Sequence, residues 1–392
     1  MKKRILSLLA ALLALSCCAA CDKSGNSGAS AEADGAGTTP AETEPDYALP
    51  EAIIDEFVGI EGAKTVRDSK YTMFYYCKGG VSYDVRVTEL TAPDAADGTV
   101  ILEKQGTGDK TQKLEDLRDG CYYRMSVIAY DADGGRSPEV TRVLYCSHAV
   151  VDEEEIARAC AEYGIGAGSD AYAAITGINR LYFDELSGKL EKPLVFFFEG
   201  CGVDTSKRFG AMCVAVKNGK ILYVNRRAST LPDYPFDPKH DNGKDNPTVI
   251  DGVFSFTTSN HNGETACLLI NPPPVIRCTT DRAYYASTAS GIEVHRRFAD
   301  GVAPADETWA NSSGCFMVGA AGTNEFRDFM IALGILPAGT PTLGKSQKSV
   351  SGYVVVNHQY AHDYMSSLGY KDGAITAITA KTAALLEAAA AK

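Results

Sequence analysis

Residues 114–135 read LEDLRDGCYYRMSVIAYDADGG, and this stretch is the most informative about the fold of the first predicted domain. Apolar side chains occupy alternate positions from Tyr123 to Ala129, which is the period of a half-buried β-strand. Further strand-like runs of five to ten residues, bounded by Gly, Asp or Pro, recur between residues 50 and 148. Several short strands at this spacing predict an antiparallel β-sandwich.

The same stretch resembles the signature of fibronectin type III domains. The positions that carry the resemblance are Leu114, Leu117, Gly120, Tyr123, Met125, Val127 and Ala129. The resemblance implies that Tyr123 is a corner tyrosine whose hydroxyl bonds to nearby backbone. It also implies a core aromatic on an early strand, where Phe74 or Tyr76 would replace the tryptophan of that family. We predict a fibronectin type III-like domain over residues 48–148 that spaces or binds and carries no chemistry.

The N-terminus predicts export. Residues 1–21 place Lys and Arg before an apolar run of about a dozen residues and then small residues, which is typical of a secretory signal. Cys17, Cys18 and Cys21 resemble a bacterial lipobox, and the resemblance implies that one of them, Cys21 by our choice, carries a lipid. The lipid would anchor the chain to a membrane on the extracytoplasmic side of the cell envelope. An ordinary cleaved signal with incidental cysteines is the alternative.

Residues 22–47 predict a disordered linker. They are mostly Gly, Ser, Ala, Thr, Glu and Pro, with almost no bulky apolar side chain. Such a segment cannot bury a core, so it would serve as a tether between the anchor and the folded body.

The composition excludes several functions. The chain is 45% hydrophobic and 22% charged, as is usual for a globular protein. Its net charge of −12 argues against a nucleic-acid partner. Nine cysteines follow the signal, which leaves at least one unpaired, and none of them forms a CxxC pair or a zinc-type spacing. We find no phosphate-binding loop or dinucleotide motif and predict neither a cofactor nor a bound metal.

The second predicted domain, residues 149–392, is expected to be β-rich with a few peripheral helices. Strand-like segments run from PLVFFFEG at 193–200 to GYVVVNH at 352–358. KNGK at 217–220 has Asn-Gly at its centre, which indicates a hairpin turn. Helices are predicted at 152–164, where acidic residues suit the helix dipole, at 324–336 and at the Ala-rich C-terminus.

Residues 291–316, GIEVHRRFADGVAPADETWANSSGCF, supply the candidate chemistry. A strand-like segment ends in His295, a loop of sixteen residues follows, and Ser-Ser-Gly-Cys comes next at 312–315. An imidazole within hydrogen-bond reach can accept the proton of a thiol and give a thiolate–imidazolium pair. Gly314, directly before Cys315, would let backbone N–H groups approach a developing oxyanion.

This block resembles the motif of the YkuD-type L,D-transpeptidases, in which a His precedes Ser/Thr-His-Gly-Cys by a loop of similar length. The resemblance covers about residues 205–335 and implies a β-rich, sandwich-like catalytic domain over residues 149–392. It implies that Cys315 takes an acyl group from a peptidoglycan stem peptide and that His295 moves the proton. An amine would resolve the acyl-enzyme by transpeptidation, and water would do so by carboxypeptidase trimming.

Three positions depart from that motif. Ser313 stands in place of the second His, Arg296 in place of a small residue, and Met317 in place of a polar residue after the cysteine. His295 and Cys315 themselves match the motif, so the departures concern the residues that would surround the substrate. They leave open a subfamily with another acceptor, a hydrolase, or a domain without activity.

Further roles are expected around the pair. The resemblance implies that the backbone carbonyl of Arg296 holds the second ring nitrogen of His295. Ser312 is expected to fix the loop or contact the substrate. The residues expected to contact substrate are Ser313, Arg297, Trp309 and His261. Packing of Trp309 and simple exposure of the Arg297 and His261 side chains are the alternatives.

Other interpretations compete for the site. Cys315 could be a buried structural thiol and His295 a satisfied polar residue, in a cell-envelope lipoprotein that binds without turnover. Cys201 ends an apolar strand, and with His261 or His295 it could form a cysteine-peptidase pair. Both alternatives stay open on the sequence alone.

A metal site is a further alternative. His358 and His362 are four residues apart, a ligand spacing on a helix, although a strand-like segment runs into them. Asp237, His240 and Asp241 crowd a polar loop that could bind a cation weakly or merely be solvated.

Overall fold

The structure is a computed structural model that describes residues 47–54, 57, 62–236, 245–297, 312–346 and 348–391. The predicted signal with its three cysteines, the predicted linker up to residue 46 and Trp309 lie outside the described residues. Contacts between residues divide the chain after Asp46, and Tyr47–Lys392 form one unit.

The first eight strands form two sheets around a shared apolar core. They are β1 (Ile53–Ile54), β2 (Ala63–Val66), β3 (Tyr71–Tyr76), β4 (Ser82–Leu90), β5 (Thr99–Thr107), β6 (Thr111–Leu114), β7 (Tyr122–Tyr130) and β8 (Val140–Cys146). One sheet has the order β1-β3-β6 and the other β2-β8-β7-β4-β5. The pairs are antiparallel except β2 with β8. The predicted sandwich is present, with one parallel edge.

Strand β7 follows the predicted alternation. Tyr123, Met125, Val127 and Ala129 are buried, whereas the residues between them are partly exposed. The Tyr123 hydroxyl accepts a hydrogen bond from the N–H of Arg118 at 2.7 Å. The contact with nearby backbone that was predicted for a corner tyrosine is therefore formed.

Strand β3 has the opposite phase from the predicted one. Tyr71, Met73 and Tyr75 are buried, whereas Phe74 and Tyr76 are 42% and 45% exposed. The prediction that Phe74 or Tyr76 replaces the core tryptophan is wrong, and the Tyr75 ring packs in the core 5.1 Å from that of Tyr83. A run with aromatic residues on both faces does not reveal its phase, because either set could face the core.

In the part of the chain that the structure describes, eleven strands follow residue 190, and eight of them close a barrel. They are β9 (Leu194–Asp204), β10 (Phe209–Lys217), β11 (Lys220–Ser229), β12 (Pro247–Val249), β13 (Gly252–His261), β14 (Thr265–Ile270), β15 (Pro274–Cys278), β16 (Tyr284–Thr288), β17 (Glu293–Arg296), β18 (Phe316–Val318) and β19 (Ser351–Asn357). The barrel order is β10-β11-β18-β17-β14-β13-β19-β9, and β12-β15-β16 form a separate sheet. Within the barrel, β17 with β18 and β9 with β19 are parallel.

The mainly β architecture is confirmed, with a closed barrel where a sandwich-like domain was expected. The predicted hairpin joins β10 to β11, and its central Asn218 and Gly219 have φ values of +50° and +76°. Such left-handed values at both central positions are what an Asn-Gly turn supplies.

Helices pack against several different strands of this part of the chain. The helices are α1 (Glu153–Glu162), α2 (Asp170–Leu186), α3 (Glu325–Ala332), α4 (His362–Ser367) and α5 (Asp372–Ala390), with a short 3₁₀ turn at Thr205–Lys207. Val195 and Phe197 of β9 belong to the barrel interior, while Phe196 and Phe198 pack with α1 and α2. This two-sided burial explains the unbroken apolar run in β9. Helices α1, α3 and α5 match the predicted ones, whereas α2 and α4 were not predicted.

Arg67, after β2, joins the sandwich to the segment that leads into the barrel. Its Nη1 donates to the carbonyl oxygen of Ala149 at 2.7 Å, and its guanidinium pairs with Asp152.

All nine cysteines in the described part of the chain are free thiols. None of the helices in the described ranges has the length and apolarity needed to cross a membrane.

Candidate active site

Strands β17 and β18 bring His295 and Cys315 to one region of the barrel wall. In this parallel pair His295 lies opposite Met317. Cys315 directly precedes β18 and is level with Glu293, whose N–H donates to Sγ at 3.4 Å. His295 is two positions further along β17, and side chains two apart on a strand share a face at a spacing of about 7 Å. One strand pairing thus joins two residues that are far apart in the sequence.

The backbone orients the ring of His295. Nδ1 donates to the carbonyl oxygen of Arg296 at 2.7 Å, which is the contact that the resemblance implied. A carbonyl oxygen only accepts, so Nδ1 carries the proton and Nε2 keeps a lone pair. His295 is 7% exposed, and its burial, together with the neighbouring His261, lowers its pKa to about 4. The imidazole is neutral at pH 7, in the tautomer that a general base at Nε2 needs.

Cys315 is partly exposed as a residue, but its thiol rests against the start of β17. Besides accepting from Glu293, it donates to the carbonyl oxygen of Gly291, at an Sγ–O distance of 3.5 Å. Burial, together with the charge of the Glu293 carboxylate, raises its pKa to about 11. Among the described residues no hydrogen bond joins Sγ to His295. The resting state is therefore a neutral thiol and a neutral imidazole, not the thiolate–imidazolium pair.

A tight turn holds the cysteine. Ser312 Oγ accepts from the N–H of Gly314 at 3.0 Å and donates to the carbonyl oxygen of Cys315 at 2.5 Å. Gly314 has a φ of +139°, and a Cβ atom there would lie 2.7 Å from Cγ of Pro247, so a side chain would clash. The N–H of Gly314 is bound to Ser312 and is not presented to an oxyanion. Ser312 fixes the turn, which is one of the two roles expected of it, and Ser313 is exposed.

Asp233 also holds this turn, although nothing in the sequence marks it. It follows β11 and is 5% exposed. Its Oδ2 accepts from the N–H of Ser312 at 2.9 Å, and its own N–H donates to the carbonyl oxygen of Ser312 at 2.9 Å. The two residues are 79 positions apart, so no local pattern could have revealed the contact.

His261, at the end of β13, lies against His295. The two rings are stacked, with centroids 4.2 Å apart and planes 13° apart. Nδ1 of His261 is 2.5 Å from Oε2 of Glu293. Glu293 thus touches both His261 and Cys315, and the sequence reasoning missed it. Its position two residues before His295, on the same strand face, was the available signal.

Arg297 does not face solvent. It is 3% exposed, and its guanidinium stacks on the ring of Phe209 at 4.5 Å. To meet substrate carboxylates, as predicted, the side chain would have to leave this ring. The other predicted contact, from Trp309, lies outside the described residues.

The structure gives no support to Cys201 as a nucleophile. Cys201 is 2% exposed, and burial raises its pKa to about 12. It lies on β9, which β19 separates from the His261 strand β13 in the barrel order. A papain-like pairing with His261 or His295 is therefore not formed.

The two closely spaced histidines are not a metal pair here. His358 is buried, with Nδ1 2.7 Å from Oδ1 of Asp251 and Nε2 3.1 Å from Oγ1 of Thr230. His362 begins α4 and is mostly exposed beside Asp363. The loop with Asp237, His240 and Asp241 lies outside the described residues. Among the residues that the structure describes, no three His, Cys, Asp or Glu side chains are grouped to hold a metal.

Comparison with known proteins gives a limited result. No protein-family model matches the chain, and no curated protein is similar to it. An Fn3-like protein from Clostridium thermocellum is 16% identical over 26% of this chain and 93% of its own, with a TM-score of 0.18. Fibronectin(III)-like modules of CbhA from the same organism are 15% identical over 25% and 95%, with a TM-score of 0.17. A fibronectin type III domain of a human protein is 16% identical over 27% and 93%, with a TM-score of 0.17.

These similar structures are fibronectin type III-like domains, and the likeness is weak. Similarity at this level assigns no function. Nothing in the comparisons points to an L,D-transpeptidase.

Proposed function

We propose that this chain is an exported, membrane-tethered cysteine enzyme that acts on the stem peptides of peptidoglycan. The observation that carries the proposal is the arrangement on β17. A neutral His295, with its proton fixed on Nδ1 by Arg296, lies two residues along β17 from Glu293, whose backbone N–H binds the Cys315 thiol. The resemblance of the block from His295 to Cys315 to L,D-transpeptidases suggests the substrate class. The signal-like residues 1–21, with Cys21 as the lipidated residue, suggest the location in the cell envelope.

In the proposed reaction the thiol first rotates from the Gly291 carbonyl toward Nε2 of His295. Nε2 takes the thiol proton while Sγ attacks the carbonyl carbon of a stem peptide bond. The tetrahedral intermediate collapses, His295 returns the proton to the leaving amine, and the acyl group stays on Sγ as a thioester. An amine acceptor then gives a cross-link, or water gives a trimmed stem and the free thiol.

A second candidate is a cell-envelope binding protein without turnover. The resting contacts of Cys315 favour it, because the thiol bonds to the backbone at Glu293 and Gly291 and its pKa is raised to about 11. A thiol in that state is a poor nucleophile until it leaves these contacts.

Mass spectrometry of the intact protein separates the two candidates. After incubation with a muropeptide that carries a tetrapeptide stem, the wild type is expected to gain the mass of the acyl group and to release the terminal residue. Cys315→Ala should do neither. Cys121→Ala, which removes the other partly exposed cysteine among the described residues, should behave as the wild type.

The role of His295 is tested in the same assay. His295→Gln is expected to slow acylation by about 100-fold or more, because the general base is lost. Folded wild type that forms neither adduct nor product with several stem compositions would contradict the enzyme proposal and favour the binding protein.

A further inference from the structure

Asp233 makes two hydrogen bonds to the turn at residues 312–315, which we call the nucleophile turn because it carries Cys315. Its backbone N–H and its carboxylate both bind Ser312, at the carbonyl oxygen and at the N–H, each at 2.9 Å. These two bonds lie on either side of the Cα of Ser312, so they fix the orientation of this residue as well as its position. Asp233 is 5% exposed, so water does not compete for these bonds.

Arg208 supports Asp233. It follows the 3₁₀ turn and has a left-handed backbone with φ of +59°. Its Nη2 donates to the carbonyl oxygen of Asp233 at 2.8 Å, and its Nε lies 4.0 Å from Oδ1. A buried carboxylate is costly without an opposite charge, and the guanidinium supplies that charge.

The contacts continue from Ser312 to the nucleophile. Ser312 Oγ binds the N–H of Gly314 and the carbonyl oxygen of Cys315. Gly314, with a φ of +139°, lies so close to Pro247 that a Cβ atom there would be 2.7 Å from its Cγ. A displacement of Ser312 would therefore move Cys315 away from Glu293 and Gly291.

We infer that Asp233, supported by Arg208, is the positioning residue of the nucleophile turn. Its catalytic consequence rests on the proposed function, whereas its effect on the Cys315 thiol does not. When Asp233 is removed, the thiol should leave its backbone contacts on β17 and become more reactive toward a small reagent. The same freedom should make it a poorer nucleophile for a bound peptide, because alignment with Nε2 of His295 is lost.

The first measurement is the rate of alkylation of Cys315 by iodoacetamide as a function of pH, followed by peptide mass spectrometry. Asp233→Ala is expected to raise this rate at pH 8 by about tenfold, since the thiol pKa falls toward its ordinary value of about 8.5. Asp233→Asn keeps an acceptor for the N–H of Ser312 and should stay close to the wild type. The buried Cys213 and Cys278 serve as internal controls, because unfolding would expose them too.

A matched control variant is Asp131→Ala in the sandwich. The carboxylate of Asp131 also holds a turn, at the N–H of Gly135 at 2.7 Å, far along the chain from Cys315. This variant should leave the alkylation of Cys315 unchanged. An Asp233→Ala protein that is folded and has the wild-type alkylation profile would overturn the inference.

The second measurement is acyl-enzyme formation from the muropeptide. Asp233→Ala is expected to lower kcat by about 10- to 100-fold with little change in KM. Failure of the wild type to form an acyl-enzyme would refute the proposed function alone, because the alkylation result would still test the positioning role. An active wild type whose Asp233→Ala variant has an unchanged kcat would refute the positioning role alone.

Discussion

At the residue scale, the lowered pKa of His295 has a direct consequence for stability. An unfolded histidine has a pKa of about 6.5, whereas His295 in the folded protein has a pKa of about 4. As the pH falls through this window, the unfolded state binds the proton first. Stability that is present at pH 7 is therefore lost between about pH 6.5 and pH 4, by up to roughly 3 kcal/mol from this residue.

The variant His295→Gln should lack this part of the pH dependence. We expect the free energy of unfolding in urea to fall between pH 7 and pH 4.5 by roughly 2–3 kcal/mol less in the variant than in the wild type. His362→Gln is the control, because that ring is mostly exposed at the start of α4. Equal pH dependence in the wild type and His295→Gln would contradict the buried, neutral imidazole.

At the scale of elements, the corner formed by Tyr123 of β7 is expected to stabilise the sandwich. Its hydroxyl accepts from the N–H of Arg118 at 2.7 Å and donates to Oε2 of Glu89 at 3.0 Å. Tyr123→Phe leaves both partners without that oxygen and should cost about 1–2 kcal/mol, measured by thermal unfolding. Tyr122→Phe, on the opposite face of the same strand, should cost less than about 0.5 kcal/mol. Equal losses in the two variants would show that the corner bond does not matter.

The buried face of a strand could be predicted from the sequence only where one of its two faces was clearly more apolar than the other. The apolar alternation of β7 predicted which of its faces is buried. The fibronectin type III resemblance predicted that the Tyr123 hydroxyl binds nearby backbone. Strand β3 carries aromatic residues on both faces, so its phase needed the pairing with β1 and β6. The contact of Cys315 with the β17 backbone depends on the parallel pairing of β17 with β18, which no sequence pattern predicted.

Other parts of the site lay beyond sequence reasoning. Asp233 meets Ser312 across the fold, and His261 meets His295 only because β13, β14 and β17 are successive neighbours in the barrel. The register of neighbouring strands depends on the free energy of pairing along their whole length, and a local sequence pattern does not contain that information. The lowered pKa of His295 has the same origin, because burial is a property of the packed barrel.

At the scale of the whole molecule, Arg67 ties the sandwich to the segment that enters the barrel. It binds the carbonyl oxygen of Ala149 and the carboxylate of Asp152. Arg67→Ala should free this segment, and thermolysin should then cleave near the buried Val150 and Val151 about tenfold faster, because local opening costs less. Arg142→Ala, which removes a more exposed arginine of the sandwich, is the control. Unchanged cleavage in Arg67→Ala would mean that apolar packing alone holds the segment.

The parallel pairing of β9 with β19 also sets the order in which the chain can fold on the ribosome. Residues 194–198 pair with residues 353–357, more than 150 positions later. The sandwich needs only contacts among its own strands, so it can form while the rest is still being synthesised. One edge of β9, the strand that carries Phe196, Phe197 and Phe198, has no partner until residues 353–357 have emerged. During that time its unpaired backbone groups are open to pairing with other chains, which is the hazard that chaperones reduce.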